Sequence, residues 1–69
     1  MIYWEQIGLT KREYEVLILI TEGYCTKEIA SMLEISFYTV KDYRKSLLQK
    51  ISAKNCAELC YKASKLDLV

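Results

Sequence analysis

Lys41 and Lys45 stand four residues apart, with Asp42 and Arg44 between them and Tyr38 three residues before Lys41. On a helix this spacing puts the lysines one turn apart on a single face. Ammonium groups there could donate to guanine O6 and N7 or to neighbouring phosphates, and Asp42 could accept from a cytosine amino group. Arg44, set toward one side of that face, suits a phosphate better than a base. Thr26 and Lys27 offer a hydroxyl and a cation beside the free N–H groups of a helix start, a combination that holds phosphate. The chemistry would be gripping and reading a nucleic-acid duplex. The same residues also read as solvated lysines, a plain helix cap and a surface ion pair, so the elements that position them carry the decision.

Other chemistries find little support. Histidine is absent, which removes the commonest general base and the commonest metal ligand. Cys25, Cys56 and Cys60 are an odd set in a chain without an export signal, and read as reduced thiols. Three thiolates without a clear fourth ligand make a poor zinc site. Nothing resembles a nucleophile with its base or a glycine-rich phosphate cradle. Neither an enzyme, a metal, a cofactor nor a small-molecule ligand is expected.

Length and composition set the frame. Sixty-nine residues allow one small domain with one core, so residues 1–69 are read as a single unit with a leader over 1–8. The chain is 52% hydrophobic and 28% charged, with 2 glycines and no proline, which points to helices with short connections. No apolar run approaches the roughly 20 residues that cross a bilayer. Glu5 and Gln6 interrupt the apolar opening, unlike a secretion signal. A cytoplasmic protein without a membrane partner is the expectation. The net charge is +1 overall, but residues 1–36 carry −3 and residues 37–66 carry +5. Such asymmetry hints at an anionic partner.

Caps and periodicity place the elements. Thr10 and Glu13 have capping-box spacing, with Leu9 and Tyr14 placed for a hydrophobic staple. Val16, Leu17 and Ile20 continue an apolar stripe that ends at Gly23, giving a first helix over about 11–22. Thr26 caps a short second helix, with Glu28 near its positive end and Ile29, Ala30 and Leu33 as its stripe. Ser36 caps a third helix of about fifteen residues, with Val40, Leu47 and Ile51 inward and Tyr43 at the edge. Asn55 and Glu58 repeat the capping-box spacing and open a fourth helix to about Ser64. Its apolar or small residues, Cys56, Ala57, Leu59, Cys60 and Ala63, span enough arc to serve both the core and a second copy. Trp4 and Ile7 of the leader could pack back on the domain. The fold class is all-α, four helices, with a helix-turn-helix over about 25–45.

The ordered motifs resemble the LuxR-type helix-turn-helix, also called the GerE or NarL type. The resemblance begins at Leu9-Thr10-Lys11-Arg12-Glu13-Tyr14-Glu15-Val16-Leu17 and continues through Glu22-Gly23 and Thr26-Lys27-Glu28-Ile29-Ala30. Leu33, Ile35-Ser36, Thr39-Val40-Lys41, Leu48, Lys50-Ile51, Asn55, Glu58-Leu59 and Leu68-Val69 complete it without an insertion, over residues 9–69. The resemblance implies a DNA-binding domain of transcription regulation, with the third helix in the major groove. It also implies a homodimer paired through the fourth helix on inverted half-sites. By position, Lys41, Asp42 and Lys45 match base-facing residues, while Thr26, Lys27, Thr39 and Arg44 match backbone contacts, and Tyr38 is grouped with the latter. Cys56, Leu59, Cys60 and Ala63 are assigned to dimerisation. Glu13 matches a buried acid of structural use. Double-stranded DNA and a second copy are the expected partners, with RNA polymerase a further candidate. Three positions depart from the family pattern: Phe37 and Tyr38 replace a frequent proline and lysine, and Asp42 replaces a frequent asparagine or small residue. The competing class is a helical protein-interaction module that docks a regulator or polymerase subunit, favoured by the adjacent aromatics Phe37 and Tyr38.

Overall fold

The computed structural model describes residues 4–66. A 3-10 turn over Trp4–Ile7 leads into α1 (Lys11–Thr21), α2 (Thr26–Leu33), α3 (Phe37–Ile51) and α4 (Cys56–Lys65). The described residues contain no strand, in agreement with the all-α expectation. None of their helices is long and apolar enough to cross a membrane.

Each boundary has a local cause. At α1 the Thr10 hydroxyl accepts the Glu13 N–H at 3.1 Å, and the Glu13 carboxylate accepts the Thr10 N–H at 2.8 Å. Leu9 is buried and Tyr14 half-buried against the same core. Gly23, at φ +97°, turns the chain: its N–H reaches the Ile20 carbonyl at 3.0 Å and that of Tyr24 reaches Leu19 at 3.2 Å. This paired closure satisfies carbonyls the helix end would orphan.

The start of α2 differs from expectation. Cys25 is the N-cap, and Thr26 is the first helical residue, buried at 7% exposure. The reason is that Thr26 turns its hydroxyl inward to Arg44. Glu28 instead closes the cap, accepting the Cys25 N–H at 3.0 Å, and this bond holds its carboxyl below the usual range. The expected cap residues open the later helices: Ser36 accepts from Thr39 N–H at 3.0 Å and Asn55 from Glu58 N–H at 2.9 Å. Only half of the Asn55–Glu58 box forms, because the Glu58 carboxylate pairs with Lys62 at 3.3 Å.

α3 is the hub, packing on α1, α2 and α4. Val40, Leu47 and Ile51 meet Val16, Leu17 and Ile20 of α1, Ile29 and Ala30 of α2, and Leu59 and Ala63 of α4 in one core. Burying each of the fully enclosed Leu17, Ile29, Leu47 and Leu59 contributes about 1.5–3 kcal/mol. Ile7 packs on the edge of that core, while the side chain of Trp4 and residues 67–69 lie outside the described residues.

The α4 residues expected at a dimer interface divide between the core and its edge. Leu59 and Ala63, four residues apart, form its single inward stripe and are fully enclosed in the protomer's own core. They have no surface to offer a second copy. Cys56 is half-buried and accepts from Arg44, and Cys60 is half-buried at the core edge. The outward side of α4 carries Ala57, Tyr61, Ser64 and Lys65.

Candidate nucleic-acid interface

With Val40, Leu47 and Ile51 pinned inward, the opposite side of α3 is fixed. Tyr38, Lys41, Asp42 and Lys45 are all exposed there, as the periodicity predicts. Among the described residues neither Lys45 nor Asp42 has an ion-pair partner. The Lys41 ammonium lies 5.7 Å from the centroid of the Phe37 ring. Phe37 meets Tyr38 edge to face, with centroids 5.8 Å apart and planes at 88°. Both rings are open to solvent, Phe37 at 45% and Tyr38 at 74% exposure.

Arg44 takes a position the sequence does not reveal. Its guanidinium donates to Thr26 Oγ1 through Nη1 and to Cys56 Sγ through Nη2. Thr26 and Cys56 are the first residues of α2 and α4, so Arg44 ties both helix starts to the middle of α3. It pairs with no carboxylate among the described residues. Lys41, Arg44 and Lys45 line, with Leu48, a shallow depression of about 230 Å³. Three cations without acidic partners on one flank create a locally positive potential despite the near-neutral chain.

The remaining candidates sit at the margins of this surface. Lys27 is exposed in the first turn of α2, where N–H groups lack intrahelical acceptors. Thr39 is half-buried and shares a 2.7 Å hydrogen bond between its hydroxyl and that of Ser36. The Thr26 and Thr39 hydroxyls are therefore already engaged within the protein, and Lys27, Lys41 and Lys45 are the exposed cations among these candidates.

A second network holds α3 in place. Glu13, 3% exposed, receives the Lys50 ammonium at 2.7 Å, the Ser46 hydroxyl and the Thr10 N–H. Lys50 also donates to the Gly8 carbonyl at 2.8 Å. Burial alone would raise the Glu13 carboxyl, but the bonds from Lys50, Ser46 and Thr10 outweigh it and bring the pKa down to about 2. The structural use of Glu13 is as expected. Its partners Ser46 and Lys50 were not singled out; the available signal was their spacing of four on α3, flanking the inward Leu47.

Comparison with known proteins gives a consistent result. The family model described as bacterial regulatory proteins, luxR family, matches residues 8–63. The oxygen regulatory protein NreC of Staphylococcus carnosus (strain TM300) is 43% identical over 61 residues, covering 88% of this chain and 28% of its own length. The transcriptional regulatory protein DesR of Bacillus subtilis (strain 168) is 46% identical over 57 residues, covering 83% of this chain and 29% of its own. The chain thus spans less than a third of the length of these relatives.

Proposed function

The chain belongs to the luxR family of bacterial regulatory proteins, whose helix-turn-helix binds DNA in transcription regulation, and from that premise we propose that α3 reads a specific duplex sequence in the major groove. The observation that carries this reading is the coincidence of the unpaired Lys45 and Asp42, and of Lys41, with the exposed side of α3. Lys41 and Lys45 donate to guanine or phosphate, and Asp42 accepts from a cytosine amino group. Lys27 and the first turn of α2 hold a phosphate, and Arg44 adds charge from the flank while keeping Thr26 in place.

A small set of cations per protomer favours two copies on one site, each phosphate neutralised contributing about −0.9 to the slope of log affinity against log salt. We place the pairing surface on the outward side of α4, at Ala57, Tyr61 and Ser64 with Cys60 at its edge. Tyr61 is 62% exposed, with the Lys65 ammonium 5.5 Å from its ring centroid. Replacing both Ala57 and Tyr61 by glutamate should leave the thermal melt close to wild type. The same change should weaken binding to an inverted repeat by about tenfold or more while sparing a single half-site. Equal affinities of variant and wild type on the full repeat would remove α4 from the pairing.

Selection of duplexes from a random-sequence pool tests the reading as a whole. Recovery of a short inverted repeat supports it. Uniform retention of all sequences refutes it and returns the exposed Phe37–Tyr38 pair to the competing reading, a surface for a protein partner.

A further inference from the structure

We infer that Phe37 and Tyr38 form an apolar contact for a thymine methyl group, which makes Tyr38 a specificity-determining residue rather than a backbone contact; this rests on the DNA-binding reading above. Tyr38 lies three and four residues before Lys41 and Asp42, so it belongs to the same strip of α3 and not to its flank. Its ring is 74% exposed, and it takes no part in the core. Phe37 supports it edge-on at 5.8 Å, an arrangement favoured by the quadrupoles of the two rings. Phe37 also carries the Lys41 ammonium at 5.7 Å, so a single ring orients both the aromatic and the cationic reader.

The chemistry then selects the ligand. The exposed strip of α3 is otherwise charged or polar, and the aromatic pair is its apolar part. In the major groove the apolar group presented by a base is the C5-methyl of thymine, which aromatic side chains contact favourably. Side chains of a helix lean toward its N-terminus. Tyr38, in the first turn, therefore reaches beyond the bases met by Lys41 and Lys45, toward one end of the half-site. A thymine read there adds a position to the sequence specified by the cations. Leaving the pair without such a contact would keep two aromatic rings in water on a face that otherwise binds by charge.

The test uses the full 69-residue chain and the duplex recovered by selection from a random pool. Each thymine is replaced in turn by uracil, which removes only the methyl group. Wild type should lose about fourfold in affinity at one thymine per half-site, the effect of one buried methyl. Tyr38→Ala should bind the thymine and uracil duplexes equally, and Tyr38→Phe should keep the wild-type difference. No uracil effect at any position in wild type overturns the inference, as does an unchanged uracil effect in Tyr38→Ala. Loss of the uracil effect in Tyr38→Phe also overturns it, because the phenol hydroxyl and not the ring would then carry the discrimination. If no duplex is enriched at all, the DNA reading itself falls and this inference with it.

Discussion

Glu13→Ala should cost the domain about 2–4 kcal/mol, since it removes a cap bond and charge-assisted hydrogen bonds while Lys50, about a third exposed, returns to water. A domain of this length has roughly 3–10 kcal/mol to lose, so a large share of the molecules would unfold. The carboxylate is the one group shared by the Thr10 cap, Ser46 and Lys50. Its loss opens the start of α1 and takes the acceptor from the Ser46 hydroxyl, while Lys50 keeps the Gly8 carbonyl. Glu13→Gln keeps an acceptor for Thr10 but removes the charge, and should fall between the two. Urea denaturation followed by circular dichroism ranks the three proteins; equal midpoints would contradict the network.

The same carboxylate sets the acid limit of the fold. Its folded pKa of about 2 lies below its ordinary 4.5, so the unfolded chain binds the proton more readily. The contribution is complete above about pH 4.5 and is lost as pH falls toward 2, amounting to about 3 kcal/mol. Wild type should therefore lose more stability than Glu13→Gln between pH 5 and pH 2. Parallel pH profiles would mean that Glu13 titrates alike in both states.

Lys41→Ala and Lys45→Ala should each weaken binding to the selected duplex by about 1–3 kcal/mol, with loss of preference at one base position per half-site. Replacing both lysines by glutamate should abolish specific binding, because the depression they line with Arg44 and Leu48 turns from net positive to net negative. Salt titration separates two modes of contact. A lost base contact leaves the salt slope unchanged, whereas a lost phosphate contact reduces it by about 1 and weakens all sequences alike. Both surfaces are exposed and away from the core, so the variants should melt as wild type does.

Local rules made most of the fold legible. Thr10 with Glu13, Gly23, Ser36 and Asn55 act within a few residues of themselves, and the helix bounds follow from them. The exposed row on α3 was legible for the same reason, since Val40, Leu47 and Ile51 fix its phase. The cap of α2 was misread because Thr26 finds a partner 18 residues away in Arg44, and a long-range bond leaves no trace in local spacing. α4 misled in another way. Small and apolar residues cover a wide arc of it, and only packing against α1 and α3 decides that Leu59 and Ala63 go inward. Arg44 was expected to meet a phosphate from one side of α3, but it also has the reach to bridge the starts of α2 and α4.

The central claim is that the exposed side of α3 meets the bases. Intermolecular nuclear Overhauser effects between the protein and the selected duplex measure this directly. The account predicts contacts from Lys41, Asp42 and Lys45 to major-groove base protons, and from Tyr38 to a thymine methyl. Contacts confined to the α1–α2 side, around Ile18, Leu19 and Leu33, with α3 silent, would contradict it.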